Sequence, residues 1–186
     1  MAQAQKGLRE ILLEKQENIV KHWVLTLFDT YPADAQDFLR NQRNRFANPV
    51  GYTFLVATEA LFKCLVEEAE LEEFHVHMDK IIRIRAVQDF KPSEAISFVF
   101  MLKGILREAL RDDLKDSGVR AQLEDLESTI DTLGLMALDI YVGCKEQLYQ
   151  LRVDEVKRNT YMLLKRAKML VERSEEDRDQ GPQNLV

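Results

Sequence analysis

The chain has 186 residues, of which 46 % are hydrophobic and 31 % charged, and its formal net charge is −6. This size and balance fit one folded domain and exclude a disordered chain. The acidic balance argues against nucleic acid or an anionic membrane surface as the main partner, because both attract clustered basic side chains. No apolar run reaches the roughly eighteen residues of a membrane span, and the N-terminus lacks the apolar region of a secretion signal. We therefore expect a cytoplasmic protein that does not insert into a membrane.

The first two predicted elements are helices. Apolar residues recur at helical spacing from residue 6 to about 29, which predicts a long amphipathic helix. This helix ends at Tyr31, because a residue that precedes a proline disfavours the helical region of backbone space. Residues 33–45 then predict a short polar helix.

The next predicted helix begins at a proline. Asn48 is a suitable N-cap, and Pro49 has the fixed backbone angle that suits the first helical position. The helix runs to about residue 70, and the acidic stretch at its end leads to a further helix over residues 78–88. We expect His75 and His77 to lie in an extended segment before that helix.

The C-terminal half of the chain is predicted to contain the central helix and the longest one. Residues 94–110 are apolar on nearly every side, which is typical of a helix covered on several sides in the centre of a fold. Residues 119–174 contain no proline and predict one very long helix or two nearly continuous ones. No segment predicts a strand, so the expected fold class is an all-α helical bundle with a long C-terminal helix.

The second half of the long helix carries a weak seven-residue repeat of apolar side chains. The repeat consists of Tyr149, Val156, Leu163 and Leu170, with Val153, Thr160 and Ala167 four residues after the first three. Such a stripe cannot bury itself against water, so we expect a dimerisation or docking helix. The predicted organisation is a helical domain over residues 1–150, a linker-like dimerisation helix over 151–174 and a polar tail over 175–186.

Two helix junctions hold polar residues that helix amphipathicity does not explain. These side chains form the candidate ligand-binding cluster: Arg45, Asn48, Arg83, Arg85, Gln88, Asp89 and Ser93. One interpretation is an internal network that ties the two junctions together. The other is a pocket for a small anion, because guanidinium groups beside a helix N-terminus suit negative charge. The apolar neighbours of Arg85 indicate that an arginine is partly buried, and Asp89 is then the expected partner within its reach.

Other metal, cofactor and redox candidates are weaker. His75 and His77 are too few to define a metal site. His22 could contact haem, but its position at the edge of an apolar stripe fits a boundary histidine better. Cys64 and Cys144 lie inside apolar helical patterns and fit buried thiols. We predict no metal and no cofactor.

Motifs of enzymatic chemistry are absent from the sequence. It contains no glycine-rich phosphate loop, no HExxH zinc helix and no GxSxG nucleophile turn. Its abundant carboxylates lie mostly on the solvent faces of predicted helices. We therefore expect that the chain is not an enzyme.

The two junction segments resemble those of a known family. Residues 45–51 (RFANPVG) and 84–95 (IRAVQDFKPSEA) are similar to the signature strings of RsbRD-type N-terminal domains. These domains belong to RsbR-like co-antagonists in bacterial stress signalling. The opening helix, with IVKHW at 19–23, resembles that family as well, and the likeness covers roughly residues 8–150.

The resemblance implies a globin-like fold without haem, a homodimer, and a sensory role. In that family a long helix joins the domain to a C-terminal STAS domain, which assembles into the stressosome. A STAS domain needs on the order of 100 residues, and that length does not follow residue 174. We therefore expect a different output from this chain.

The predicted function is a non-catalytic sensory or regulatory domain that signals through contacts with a regulatory protein partner. Two alternatives stay open. One is a globin-like protein that binds haem or a small anion. The other is an accessory protein of an anaerobic sulfur-respiration redox complex.

Overall fold

The structure, a computed structural model, describes residues 6–40 and 46–179, with side chains described as far as residue 168. The described residues form six α-helices in succession: α1 Leu8–Asp29, α2 Ala33–Arg40, α3 Pro49–Glu67, α4 Leu71–Val87, α5 Pro92–Ala109 and α6 Ser117–Asp179. The described residues contain no strand. The prediction of an all-α fold with a long C-terminal helix is therefore confirmed, whereas the globin-like arrangement stays a prediction.

The internal contacts of the chain divide it into two compact units, Met1–Lys145 and Glu146–Val186. The first unit holds α1 to α5 and the N-terminal part of α6. Every residue that the structure describes as buried belongs to this unit. The hydrophobic core, and any site that depends on it, therefore lies in the first unit.

The packing of α1 against α5 forms the centre of the core. Trp23 on α1 stacks against Phe98 on α5, with the two ring centroids 6.1 Å apart. The indole N–H of Trp23 donates a hydrogen bond to the backbone carbonyl of Phe98 at 2.7 Å. A buried indole needs such an acceptor, because an unpaired donor in an apolar environment costs free energy.

Helix α4 begins at Leu71, which corrects the expected start at residue 78. Glu72 and Glu73 lie in its first turn, where negative charge interacts favourably with the helix dipole. The missed signal is a stripe at helical spacing that runs through the acidic stretch: Phe74, Met78, Ile81, Ile82 and Arg85, all buried. The expectation of an extended segment at His75 and His77 is therefore wrong, and the two imidazoles lie on different faces of a helix.

Helix α5 is less enclosed than its sequence predicts. Phe100 and Met101 are each 39 % exposed, so one face of α5 lies at the surface. The ring of Phe100 lies on Gly134 of α6, where a Cβ atom would come within 2.2 Å of the ring. A glycine at this position therefore permits the close approach of α5 and α6.

Helix α3 is, among the described residues, the one helix whose length and composition would allow it to cross a membrane. Half of its apolar window is buried inside the structure. Phe54, Leu61 and Leu65 on this helix belong to the core. Helix α3 is therefore packed in this structure as a core helix.

Candidate functional site

A fully buried arginine lies at the junction of α4 and α5. The Nη1 atom of Arg85 donates to the Thr30 hydroxyl at 2.9 Å, and Nη2 donates to the backbone carbonyl of Glu94 at 2.8 Å. Its Nε atom is also buried and has no hydrogen-bond partner among the described residues. Burial lowers the pKa of this guanidinium from its usual value. The acceptors of its hydrogen bonds are neutral oxygens rather than a carboxylate.

Two aromatic rings surround the Arg85 guanidinium. Its central carbon lies 4.2 Å from the ring centroid of Phe90 and 5.4 Å from that of Tyr31. The two rings meet edge to face, with centroids 4.8 Å apart. The negative faces of aromatic rings attract a cation, so they compensate part of the cost of its burial.

Tyr31 is the polar member of this aromatic pair. Its hydroxyl donates to the side-chain carbonyl oxygen of Gln88 at 2.7 Å. Burial raises the pKa of Tyr31 to about 12, against a smaller opposite effect from the charge of Arg85. The phenol therefore stays neutral beside the buried cation.

The expected pairing of Arg85 with Asp89 is wrong. Asp89 follows the end of α4 with a left-handed backbone angle, φ = 59°. The N–H groups of Asp89 and Phe90 bond back to the carbonyls of Ala86 and Arg85, which is the Schellman pattern of a helix end. Because the helix has already ended, the side chain of Asp89 does not continue the helical face that carries Arg85.

Two residues of α6 contact the segment between α4 and α5. The Nζ atom of Lys145 donates to the Asp89 carboxylate at 2.6 Å, and only 17 % of the Lys145 side chain is exposed. The hydroxyl of Tyr141 donates to the carbonyl of Phe90 at 2.5 Å. We call Thr30, Tyr31, Arg85, Phe90, Tyr141 and Lys145 the Arg85 junction. Of these six residues, only Arg85 belongs to the cluster that the sequence predicted. Four of the five missed residues, Thr30, Tyr31, Tyr141 and Lys145, make contacts that join positions more than fifty residues apart.

The buried side chain of Asn48 connects α2 to α3, and we call Asn48 with its partners Phe38, Leu39 and Gly51 the Asn48 joint. Its Oδ1 atom accepts from the N–H of Gly51 at 2.8 Å, which confirms the predicted N-cap of α3. Its Nδ2 atom donates to the backbone carbonyls of Phe38 and Leu39, at 2.8 and 2.9 Å. A Cβ atom on Gly51 would come within 2.5 Å of the Leu39 carbonyl, so glycine is required there. One side chain thus satisfies the end of α2 and the start of α3.

Two other members of the predicted cluster, Arg83 and Ser93, are exposed and do not contact the Arg85 guanidinium. Arg83 is exposed and donates to Asp79, one helical turn earlier, at 2.9 Å. Ser93 is exposed in the first turn of α5. Arg45 lies outside the described residues. The structure brings Arg85, Gln88 and Asp89 together where α4 ends and places Asn48 at another junction, and anion binding stays a prediction.

Two cavities of the first unit lie close to α1 and α3. One, of about 580 Å³, lies between α1, α3, α4 and α6, with mainly apolar walls formed by Leu8, Leu12, Leu65, Val66 and Phe74. The other, of about 900 Å³, is a groove between α1 and α3 with charged residues along its rim. Arg85 lines neither of these two cavities.

The predicted dimerisation seam lies in the second unit and is exposed along its described length. Each side chain from Tyr149 to Lys168 is exposed. Tyr149, Val156 and Leu163 retain 56 %, 63 % and 65 % of their accessible surface. The side chain of Leu170 lies outside the described part of the chain. The dimerisation residues therefore stay predictions, on a helix face whose described side chains are exposed.

The two segments at the helix junctions, residues 45–51 and 84–95, both lie within one family match. Residues 17–156 match the model of the RsbT co-antagonist protein rsbRD N-terminal domain, which covers more than half of the chain. The chain belongs to this family. Membership of the RsbRD N-terminal domain family implies a stressosome-related regulatory domain. Comparisons with curated proteins and with solved structures returned no match.

The family strings of this RsbRD N-terminal domain serve the geometry of helix ends. Residues 84–95 end α4, turn through Asp89 and begin α5, while residues 48–51 cap α3. Each string contains a buried polar side chain that donates to a backbone carbonyl of another helix. Arg85 donates to the carbonyl of Glu94 on α5, and Asn48 donates to that of Leu39 on α2. The residues of the two strings therefore form the ends of these helices and the contacts between them.

The remaining candidates in this RsbRD N-terminal domain are dispersed. His22 and His75 are exposed, and burial lowers the pKa of His77, whose Nδ1 atom has no hydrogen-bond partner among the described residues. Cys64 and Cys144 are buried thiols, as predicted, and burial raises the pKa of each. The described residues contain no group of three or more His, Cys, Asp or Glu side chains that could hold a metal ion.

Proposed function

We propose that this RsbRD N-terminal domain is a non-catalytic, cytoplasmic regulatory module that signals to a protein partner through the C-terminal part of α6. The observation that supports this proposal is the exposed stripe of Tyr149, Val156 and Leu163, with Val153 and Thr160 between them. We call this stripe, together with Ala167, the C-terminal seam.

An uncovered seam of this kind favours association. Full burial of one large apolar side chain stabilises a complex by roughly 1.5–3 kcal/mol relative to leaving it in water. Several such side chains at seven-residue spacing would give a helix partner a continuous contact. Solvent-facing helices in monomers instead present polar residues on their outer faces.

The Arg85 junction supports a regulatory role for the first unit. A buried cation with neutral acceptors contributes less stability than a well-packed apolar side chain of similar size would. The same junction holds α6 through Tyr141 and Lys145. We propose that a signal that alters the packing of α1, α4 and α5 reaches α6 through these two contacts.

The proposal is tested with seam variants of the full chain. The double variant Val156→Asp, Leu163→Asp places two charges on the seam and should leave the thermal unfolding of the first unit unchanged. Affinity capture from native extract, with quantification against wild type, should show at least one protein that the variant no longer retains. The matched control is Leu151→Asp, Met162→Asp, which adds the same charge off the seam. Equal capture by the wild type and the seam variant would refute the proposal.

A further inference from the structure

The charges beside the C-terminal seam distinguish a second copy of this chain from a different partner. With Tyr149, Val156 and Leu163 at heptad position d, position a holds Val153, Thr160 and Ala167. The flanking positions then follow from the spacing: e holds Gln150, Lys157 and Leu164, and g holds Arg152, Asn159 and Arg166. In coiled coils, e and g residues face the partner helix and determine which partner is accepted.

Basic residues dominate this stretch of helix. Residues 151–168 contain six Lys or Arg and two acidic residues, in a chain whose net charge is −6. The acidic residues, Asp154 and Glu155, occupy the outer positions b and c, and Asp154 accepts a hydrogen bond from Gln150. Arg152, Lys157 and Arg166 are exposed and form no ion pair with the described residues. The flanks of the seam thus present positive charge and no negative charge.

A second copy of the chain would meet like charges along this seam. In a parallel pair, Arg152 would face Lys157 of the second copy, because g residues pair with e residues of the next heptad. In an antiparallel pair the g positions face one another, so arginine would again meet arginine or a neutral residue. Like charges at such positions oppose pairing.

We infer that the C-terminal seam binds an amphipathic helix of another protein whose seam is flanked by Glu or Asp. This inference rests on the proposed function and names the chemistry of its partner. The charge of the flanks is complementary to such a helix at every e and g position that is charged. The a positions are small or β-branched, and Leu163 occupies a d position, which favours close packing of two helices over insertion into lipid.

The experiment uses the full chain and two synthetic three-heptad helical peptides that share an Ile and Leu seam. One peptide carries Glu at every e and g position, and the other carries Lys there. Fluorescence anisotropy at low ionic strength should show the Glu peptide binding about tenfold or more tightly than the Lys peptide. The difference should shrink at about 0.5 M salt, because salt screens exposed charges.

Charge-reversal variants provide the decisive comparison. The triple variant Arg152→Glu, Lys157→Glu, Arg166→Glu should prefer the Lys peptide instead. A control with the same change in net charge, Lys21→Glu, Lys80→Glu, Arg111→Glu, should keep the wild-type preference. Circular dichroism should show the same helix content in both variants.

Several outcomes would overturn the inference. Equal affinity for the two peptides, or binding of neither, removes the charge argument; if capture from extract still depends on the seam, the proposed function stands. Sedimentation of the wild type as a dimer that Val156→Asp, Leu163→Asp dissociates would assign the seam to a second copy. Tighter binding to phosphatidylserine vesicles than to the Glu peptide would assign it to a lipid surface.

Discussion

The guanidinium of Arg85 lies over the ring of Phe90, with its central carbon 4.2 Å from the ring centroid. The backbone carbonyl of the same phenylalanine accepts the hydroxyl of Tyr141 from α6. Phe90 therefore covers a buried cation with its side chain and anchors another helix with its backbone. A change at Arg85 should act on this junction first.

Replacement of Arg85 should show that its geometry matters more than its charge. Arg85→Met removes the buried charge and retains most of the apolar volume, so it should change the free energy of unfolding by less than about 1 kcal/mol. Arg85→Lys keeps a charge that is more strongly hydrated, and it loses the planar fork that reaches both Thr30 and Glu94. We expect a loss of about 3 kcal/mol for that variant. Urea unfolding measures both, and a lysine variant as stable as the methionine variant would contradict this account.

A pair of glycine substitutions tests the Asn48 joint. Gly51→Ala would bring a Cβ atom within 2.4 Å of the Asn48 amide and 2.5 Å of the Leu39 carbonyl. It should therefore destabilise the protein by about 2–3 kcal/mol. Gly104→Ala is the control, because a Cβ atom there meets nothing within 4 Å. Its higher helix propensity should stabilise α5 by up to about 1 kcal/mol. Losses of similar size at both positions would show that the close approach at Gly51 is not the cause.

The left-handed position of Asp89 can be separated from its ion pair with Lys145. Asp89→Gly should change the free energy of unfolding by less than about 0.5 kcal/mol, because the relieved backbone strain offsets the lost ion pair, whose carboxylate is 66 % exposed. Asp89→Asn keeps tolerance of the left-handed angle and should lose about 0.5 kcal/mol, which isolates the pair. Asp89→Val should lose about 2 kcal/mol, because a β-branched residue is strained at φ = 59°. The order Gly, Asn, Val in chemical denaturation is the test, and a valine variant as stable as the asparagine one would contradict it.

Tyr31 should make the protein sensitive to alkaline pH. Its pKa is raised from 10.0 to about 12 in the folded state, so the neutral phenol favours folding. This contribution is fully present below about pH 10 and is lost as pH rises towards 12, with an upper limit of roughly 3 kcal/mol.

Tyr31→Phe provides the matched comparison for that titration. At about pH 8 the variant should be less stable by about 1 kcal/mol, because it lacks the hydrogen bond to Gln88. Between about pH 9 and pH 12 the wild type should lose stability faster, so the gap should close and, at the upper limit of that loss, reverse in sign. Unfolding free energies that run parallel over this range would disprove the assignment to Tyr31.

Local patterns were sufficient for several features of this protein. The apolar spacing predicted α1 and α3, the cap at Asn48 predicted the start of α3, and the absence of proline predicted the length of α6. The heptad spacing of Tyr149, Val156 and Leu163 located the exposed stripe. These features depend on residues close together in sequence, for which side-chain periodicity and capping carry the information.

The sequence by itself determined the all-α class, most helix boundaries and the two family strings at the junctions. Only the tertiary structure decided which of the interleaved arginines is buried, since Arg85 bonds to Thr30 and Glu94 inside the core whereas Arg83 is exposed and pairs with Asp79. The tertiary structure also decided that Asp89 pairs with Lys145, fifty-six residues away, rather than with Arg85, four residues away. The physical reason is that the burial of a charge depends on acceptors brought from distant elements by packing, and no local pattern encodes them.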